Sequence, residues 1–166
     1  HIKFPPGDDA NEDGILAIGG KLSIQNLLNA YQIGAFPWYN KGEPIIWHHP
    51  NPRCVLFPNE IKISHSMRTL INSRKFRFTF DQSFSEVIAQ CRHIPRKDQP
   101  GTWIHDEIEK AYNELFTLGY AHSAEVWEGT ELVGGLYGVL LGRIFFGESM
   151  FSTAKNASKF ALIKMT

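Results

Sequence analysis

The carboxylate of Glu148 stands in surroundings where an acidic side chain can do chemistry. It lies near the end of a strand that we predict to be central in a sheet. Its sequence neighbours are apolar: Phe145, Phe146, Met150 and Phe151. Because an unpaired carboxylate is costly in an apolar setting, we expect Glu148 to be buried with a specific partner. Either it binds a ligand, or it forms a structural ion pair with Arg143 or a lysine.

Hydroxyl and amide side chains gather where the last helix is predicted to begin. They are Ser149, Ser152, Asn156 and Ser158. A helix N-terminus that carries such groups is a natural seat for a phosphate or a ribose. The same residue types are common helix caps, and the pattern alone leaves both interpretations open.

Metal-binding and disulfide patterns are missing from the sequence. His48 and His49 are adjacent, so their rings do not easily face one metal ion, and Cys54 and Cys91 are far apart and outside any CxxC pair. This cysteine usage predicts a reducing, cytoplasmic location. No apolar run approaches the roughly 20 residues that cross a bilayer, so we expect no membrane association.

Periodicity and turn residues predict a mixture of helices and strands. Helices are predicted over residues 24–33, 64–71, 81–92 and 106–118, and from 155 onward. Strands are predicted near residues 45–47, 53–57, 76–80, 121–127, 132–141 and 144–150.

The order of these elements predicts an α+β fold. Residues 1–62 are predicted to form a small mixed N-terminal domain. Residues 63–166 are predicted to form a domain like that of the GNAT acyl-CoA N-acyltransferases, with a three-stranded antiparallel meander followed by a helix. Element order alone does not fix function.

Charge is unevenly distributed along a chain whose formal net charge is zero. Residues 61–97 carry eight basic and two acidic side chains, whereas the segments before and after them are acidic on balance. The basic residues are Lys62, Arg68, Arg74, Lys75, Arg77, Arg92, Arg96 and Lys97. Folded compactly, this segment could present one positive face to a nucleic acid, and ordinary solvated charge is the equally weighted alternative.

Seven strings of residues are more specific than any periodicity. They are Gly14-Ile15-Leu16-Ala17-Ile18-Gly19-Gly20, Ala30-Tyr31-Gln32-Ile33-Gly34-Ala35-Phe36-Pro37-Trp38, Pro50-Asn51-Pro52-Arg53, Gly101-Thr102-Trp103-Ile104, His122-Ser123-Ala124-Glu125-Val126-Trp127, Leu132-Val133-Gly134-Gly135-Leu136-Tyr137-Gly138, and Phe146-Gly147-Glu148-Ser149-Met150-Phe151-Ser152. In this order they resemble the bacterial leucyl/phenylalanyl-tRNA–protein transferases, from near residue 10 to the end.

The resemblance implies an aminoacyltransferase. Such an enzyme moves Leu or Phe from its tRNA to a protein that begins with Arg or Lys and so marks that protein for degradation. The resemblance implies no metal and no CoA, and we expect a monomer. It also implies that the GNAT-like domain continues beyond residue 166, where a further strand bears an Asp-x-Gln motif that takes part in the chemistry; the chain as given is then incomplete at its C-terminal end.

The resemblance also implies roles for individual residues. Trp47 and Trp103 correspond to rings that clamp the adenosine of the tRNA, with Tyr31 beside them, although buried tryptophans and a tyrosine on a helical stripe are common core residues. The predicted amino-acid pocket comprises Leu136, Phe145, Met150 and Leu162, with Leu136 where the family has Met. Glu148 faces the acceptor, with a general-base role as the less favoured alternative. Ser152 and Asn156 are predicted to bind the substrate from their place at the start of a helix and not from the resemblance, with capping as the alternative.

Two other functions compete with this interpretation. A CoA-dependent N-acetyltransferase shares the element order, but residues 149–159 contain no glycine where such enzymes carry a Gly-rich pyrophosphate loop. A noncatalytic tRNA-binding module would use the basic segment and the exposed rings, without regard to the amino acid on the tRNA.

Overall fold

The computed structural model describes residues 2–95 and 102–166. Its contacts divide the chain into two units, neither of which is continuous in sequence. Unit 1 comprises His1–Cys54 and Pro95–Leu115, and unit 2 comprises Val55–Ile94 and Phe116–Thr166. The predicted domains, 1–62 and 63–166, were each continuous, and that boundary stays a prediction.

Unit 1 is a small mixed structure. Helix α1 (Ile24–Gln32) begins after Ser23, whose hydroxyl accepts a hydrogen bond from the Asn26 N–H. Three short antiparallel strands form a sheet in the order β1-β3-β2. These strands are β1 (Ile15–Ile18), β2 (Phe36–Pro37) and β3 (Ile46–His48). Proline is tolerated in β2 because this strand lies at the edge of the sheet.

Helix α4 (Asp106–Thr117) belongs to unit 1 up to Leu115. Its apolar stripe is buried, as the periodicity predicts: Ile108, Ala111, Tyr112 and Leu115. Gly119 follows with φ +79°, a left-handed conformation that ends helices and that glycine adopts without strain. The predicted helix over 106–118 is therefore confirmed.

Unit 2 is built on a four-stranded antiparallel sheet in the order β4-β5-β6-β7. Its strands are β4 (Arg77–Phe80), β5 (Ala121–Glu128), β6 (Glu131–Leu141) and β7 (Ile144–Ser152). Three helices complete it: α2 (His65–Asn72), α3 (Phe84–His93) and α5 (Ala157–Met165). The α+β class is therefore confirmed.

Two adjacent glycines of β6 show that α3 and α5 cover opposite faces of the sheet. A Cβ built on Gly134 would lie 2.6 Å from the Ala157 Cβ of α5, and one built on Gly135 would lie 3.2 Å from the Val87 Cγ2 of α3. Neighbouring residues of a strand point to opposite faces. Both helices therefore approach the strand so closely that a side chain at either position would displace them.

One predicted strand does not form. Residues 53–57 have no regular structure, and Val55, Leu56 and Phe57 are exposed. Pro52 and Pro58 flank this apolar run, and a proline has no N–H to donate to a sheet. The apolar composition of the run was mistaken for the mark of a buried strand.

Candidate active site

Glu148 lies at a β-bulge in β7. Tyr137 of β6 faces Ser149, and the next β6 residue, Gly138, faces Gly147, so Glu148 is the extra residue between them. Its side chain is partly exposed, and the expectation of a buried carboxylate is wrong. Among the described residues β7 is also the edge of its sheet and not a central strand. Because a bulge can turn a side chain out of the regular alternation, the carboxyl group is accessible from solvent.

The four predicted pocket residues lie in unit 2. Leu136 is buried, and Phe145 and Leu162 are partly buried against the same apolar cluster between the sheet and helices α2 and α5. Met150 faces Leu136 directly across the β6–β7 pair, with 45% of its surface exposed. The strand register thus brings Leu136 and Met150 together, and packing against the apolar cluster adds Phe145 and, from helix α5, Leu162.

Gly138 makes room for the ring of Phe145. A Cβ on Gly138 would lie 2.6 Å from the Phe145 Cζ and would overlap the carbonyl oxygen of Phe146. The absence of a side chain at this position thus allows the phenyl ring to lie over the backbone of β6. Gly138 belongs to the site as a space-giving residue, which the sequence analysis did not single out.

Ser152 and Asn156 flank the start of α5. The Ser152 hydroxyl donates to the Ala154 carbonyl at 2.7 Å and accepts from the Ser158 N–H at 3.3 Å. Asn156 is in the left-handed conformation with φ 69°, and its side chain makes no capping hydrogen bond. The hydroxyl of Ser152 therefore stabilises the local backbone, whereas the amide of Asn156 is not used as a cap.

In unit 1, Trp47 and Tyr31 are core residues. Trp47 is fully buried, its indole N–H donates to the Gly19 carbonyl at 3.0 Å, and the ring of Phe4 packs at 5.0 Å. Tyr31 is also buried, and its hydroxyl is hydrogen-bonded to that of Tyr112 at 2.5 Å. Neither ring has an exposed face on which a base could stack. The expected stacking roles of Trp47 and Tyr31 therefore disagree with the packing.

Trp103 and Trp38 are the more accessible indoles of unit 1. Trp103 is half-buried in the segment before α4, and Trp38, directly after β2, is 49% exposed. The sequence analysis gave Trp38 no role, although it stands beside Pro37 in a proline-rich stretch. No local signal identified it, because the cover over a ring depends on residues distant in sequence.

Unit 1 also contains a cleft of about 650 Å³. Its charged lining residues are Lys21, Glu43, Glu107, Lys110 and Glu114. Burial, followed by the charge of Glu107 and a hydrogen bond to it at 3.4 Å, raises the pKa of Tyr39 at this cleft to about 12. Three carboxylates and two amines nearly balance, so the cleft favours no particular class of ligand.

The described part of the chain holds no group of three His, Cys, Asp or Glu side chains arranged for a metal ion. His48, at the end of β3, donates its Nε2–H to the Trp38 carbonyl, 3.2 Å away, and burial lowers the pKa of its imidazole. No helix in the same part is both long and apolar enough to cross a membrane. Cys54 is exposed and Cys91 is buried, both as free thiols.

A second glutamate, Glu125 of β5, is completely buried. Its carboxyl group accepts hydrogen bonds from the Thr79 hydroxyl at 2.6 Å, the Ser123 hydroxyl at 2.5 Å and the Ser83 N–H at 3.3 Å. The Trp127 indole N–H in turn donates to Thr79 at 2.8 Å. Glu125 therefore ties β4 and β5 to the start of α3. Its position between the apolar residues Ala124 and Val126 was the available signal.

An Asp–His pair joins the end of β4 to the start of β5. The Asp81 carboxylate contacts the His122 Nδ1 at 2.6 Å and accepts from the Ser123 N–H at 2.8 Å. Phe80 stacks on the imidazole at 5.7 Å between ring centroids. His122 faces Gly138 across the sheet, so this pair supports the strand that lies against the bulge.

Comparison with known proteins connects this geometry to one family. The family model described as leucyl/phenylalanyl-tRNA protein transferase matches residues 55–166, and the model of that enzyme's N-terminal domain matches residues 20–51.

Three relatives carry the name leucyl/phenylalanyl-tRNA–protein transferase. The protein from Syntrophus aciditrophicus is 57% identical over 98% of this chain and 68% of its own length. Those from Hydrogenovibrio crunogenus and Flavobacterium johnsoniae are 51% and 52% identical, over 99% and 98% of this chain and 65% and 76% of their own lengths. The chain thus spans about two-thirds to three-quarters of the length of these relatives. It belongs to the leucyl/phenylalanyl-tRNA–protein transferase family.

Proposed function

We propose that the intact protein transfers Leu or Phe, and to some extent Met, from aminoacyl-tRNA to the N-terminal Arg or Lys of acceptor proteins, which marks those proteins for degradation. The α-amine of the acceptor attacks the ester carbonyl, the new C–N bond forms, and the bond from carbonyl carbon to ribose oxygen breaks. The proton that the amine loses is taken up by the departing ribose oxygen, which leaves as a hydroxyl group. The site must align both reactants and stabilise the oxyanion between these steps.

The observation that carries the proposal is the grouping of apolar residues from β6, β7 and helix α5, with an accessible carboxyl group on β7. Leu136, Phe145, Met150 and Leu162 offer an apolar surface to a Leu or Phe side chain. One methylene in such a pocket changes binding by about 1–3 kcal/mol, so we expect preference among donors and not absolute selection. Leucine at position 136 would shift that preference.

Glu148 is proposed to bind the cationic end of the acceptor. A carboxyl group at a bulge, partly exposed, can pair with an α-ammonium group or with an Arg or Lys side chain without the full cost of burial.

The adenosine of the tRNA is proposed to stack on Trp103 and Trp38. Base–aromatic stacking contributes about 1–3 kcal/mol per base and requires an open ring face. Trp38 has such a face and Trp103 is half-buried, whereas Trp47 and Tyr31 are enclosed. We propose that these last two residues hold the ring-bearing segments in place.

The basic segment is proposed to contact tRNA phosphates. Lys62, Arg68, Arg74, Lys75 and Arg77 are all exposed, although Lys75 lies 3.6 Å from the Glu128 carboxylate and Arg77 covers the Trp127 ring. Arg96 and Lys97 of the same segment lie outside the described residues. Exposed cations of this kind supply affinity that falls as salt rises.

We further propose that unit 2 is a GNAT-like domain and that the protein works as a cytoplasmic monomer. An antiparallel meander with helices on both faces supports the first proposal. Two free thiols support a reducing compartment. A CoA-dependent activity is disfavoured because residues 149–159 contain no glycine for a pyrophosphate loop.

A donor competition distinguishes the three functions. The intact protein is given Phe-tRNA labelled in the amino acid, labelled acetyl-CoA, and a peptide that begins with Arg. We expect label from Phe-tRNA on the peptide α-amine and none from acetyl-CoA. Transfer of acetyl groups alone would establish the acetyltransferase. Binding of charged and uncharged tRNA with equal affinity and no transfer would establish the noncatalytic module.

A further inference from the structure

Four side chains of unit 1 form a row, and only one of them, Trp38, has a role in the proposed function. The Arg53 guanidinium lies 4.7 Å from the ring centroid of Phe36, Phe36 stacks at 5.9 Å on His48, and His48 lies 5.5 Å from Trp38. We call this row, Arg53–Phe36–His48–Trp38, the ring ladder. All four of its side-chain groups are planar and have delocalised electrons.

The sheet of unit 1 builds the ring ladder. Phe36 of β2 is directly opposite His48 of β3, so their rings share one face. The Trp38 N–H donates to the Ile46 carbonyl at 2.9 Å, and the His48 Nε2–H donates to the Trp38 carbonyl at 3.2 Å. The backbone of Trp38 is thus fixed from both sides, and its ring is held in place before any ligand arrives.

The two ends of the ring ladder face solvent. Trp38 is 49% exposed and Arg53 is exposed. Within residues 2–95 and 102–166, no carboxylate forms an ion pair with Arg53. The row therefore offers an open indole at one end and an uncompensated cation at the other. This combination is what single-stranded nucleic acid requires, since bases stack on rings and phosphates pair with guanidinium groups.

We propose that the ring ladder binds the unpaired nucleotides that precede the terminal adenosine of the tRNA donor, with the exposed guanidinium group of Arg53 on a phosphate beside the Phe36–His48 stack. The inference rests on the proposed function, because it concerns further nucleotides of the same aminoacyl-tRNA donor. It assigns a binding role to Arg53, Phe36 and His48, which the proposed function leaves without one.

A nucleotide-length series tests the proposal. Indole fluorescence of the intact protein is titrated with adenosine and with the trinucleotide CCA, the sequence at the 3′ end of tRNA. We expect CCA to bind about tenfold or more tightly than adenosine, the gain expected from a charge-assisted contact between Arg53 and a phosphate. In Arg53→Ala, the affinity for CCA should fall to within about twofold of that for adenosine, while the affinity for adenosine stays unchanged.

Salt dependence gives a second readout that a merely structural role would not change. Loss of one phosphate contact on a single strand should reduce the slope of log affinity against log salt by about 0.7. Lys41→Ala is the matched control, because it removes one exposed cation of the same unit, paired at 3.2 Å with Asp106, and should leave the CCA slope unchanged. Arg53→Gln keeps much of the side-chain stem over Phe36 and serves if Arg53→Ala folds poorly.

The outcomes separate this inference from the proposed function. If Arg53→Ala and Arg53→Gln, both folded, bind CCA with wild-type affinity and slope, the ring ladder is only packing or docks another partner. If the wild type transfers Phe but binds CCA no better than adenosine, the ring-ladder inference fails and the proposed function stands. If the wild type neither transfers Phe nor binds adenosine, the proposed function fails with it.

Discussion

Two glutamates of one sheet differ in almost every physical respect. Glu125, on the interior strand β5, is completely buried and accepts three hydrogen bonds. Glu148, at a bulge on the edge strand β7, is partly exposed. The buried carboxyl group accepts hydrogen bonds that belong to the fold, whereas the carboxyl group of Glu148 is accessible from solvent. A carboxylate in an apolar sequence therefore indicates a function only where the backbone leaves it accessible.

The largest effect is expected from Glu148→Ala. If the carboxyl group pairs with the acceptor in the transition state, its loss should lower kcat/KM for transfer to an Arg-starting peptide by about 10²–10³-fold, the range for one removed electrostatic contact. The affinity for Phe-tRNA should change by less than about twofold. Filter binding and a transfer assay on the same preparation measure both quantities. Strongly weakened tRNA binding would assign Glu148 to the donor.

Glu125→Ala should act on stability. Removal of a buried acceptor leaves the Thr79 and Ser123 hydroxyls and the Ser83 N–H without their partner, which we expect to lower the free energy of unfolding by about 2–4 kcal/mol. Urea denaturation followed by circular dichroism measures this change. Glu128→Ala, at an exposed position on the same strand, is the control and should cost less than about 1 kcal/mol. Equal stability of the two variants would contradict the buried network.

Gly138→Ala probes the strand between the two glutamates. Its methyl group would overlap the Phe145 ring and the Phe146 carbonyl, and such overpacking costs about 1–3 kcal/mol. Gly147→Ala is the control across the strand pair, since a Cβ there lies 3.9 Å from the nearest Phe145 atom. Thermal melts of both variants should show a lower Tm for Gly138→Ala only. An equal fall in Tm for Gly147→Ala would mean that the bulge tolerates no added methyl group, and would contradict a specific effect of the space over Gly138.

The tryptophans of unit 1 also include one exposed and one buried residue, Trp38 and Trp47. Trp38→Ala should weaken adenosine binding by about 5–100-fold, equivalent to about 1–3 kcal/mol of stacking, with little change in Tm. Trp47→Phe keeps a buried ring but loses the hydrogen bond to the Gly19 carbonyl. It should lower Tm and leave adenosine affinity unchanged. The reverse pattern, measured by calorimetry and melting, would return the stacking role to Trp47.

The smallest effect concerns Tyr39, whose hydroxyl donates to the carboxylate of Glu107. The folded state raises the pKa of Tyr39 from 10.0 to about 12, so between these values the unfolded chain loses the phenol proton and the folded chain keeps it. This contribution to stability is complete below pH 10 and is lost as pH rises towards 12. As the pH rises over that interval, the free energy of unfolding should therefore fall less in Tyr39→Phe than in the wild type. Urea midpoints at pH 8 and 10.5 measure this, with the exposed Tyr120→Phe as control.

The sequence predicted the regular elements well and the surroundings of single side chains less well. The stripe from Ile108 to Leu115 repeats apolar residues with the period of a helix, so its burial follows from geometry. The burial of the strands did not follow a period of two: β6 is buried over a continuous run, and in β7 only Phe151 is buried. Nothing local marked the bulge at Glu148, because it arises from the register between two strands. Trp47 and Trp38 both stand near prolines, and only the packing of distant residues decides which ring is covered.

The most direct test exchanges each glutamate for its isosteric amide. Glu148→Gln and Glu125→Gln are compared in the intact protein by Tm and by kcat per folded molecule for Phe transfer. We predict that Glu148→Gln has a much lower kcat for Phe transfer and an unchanged Tm. Glu125→Gln should have a lower Tm and an unchanged kcat. Wild-type transfer by Glu148→Gln, or loss of transfer without loss of stability in Glu125→Gln, would contradict the assignment of chemistry to the exposed carboxyl group.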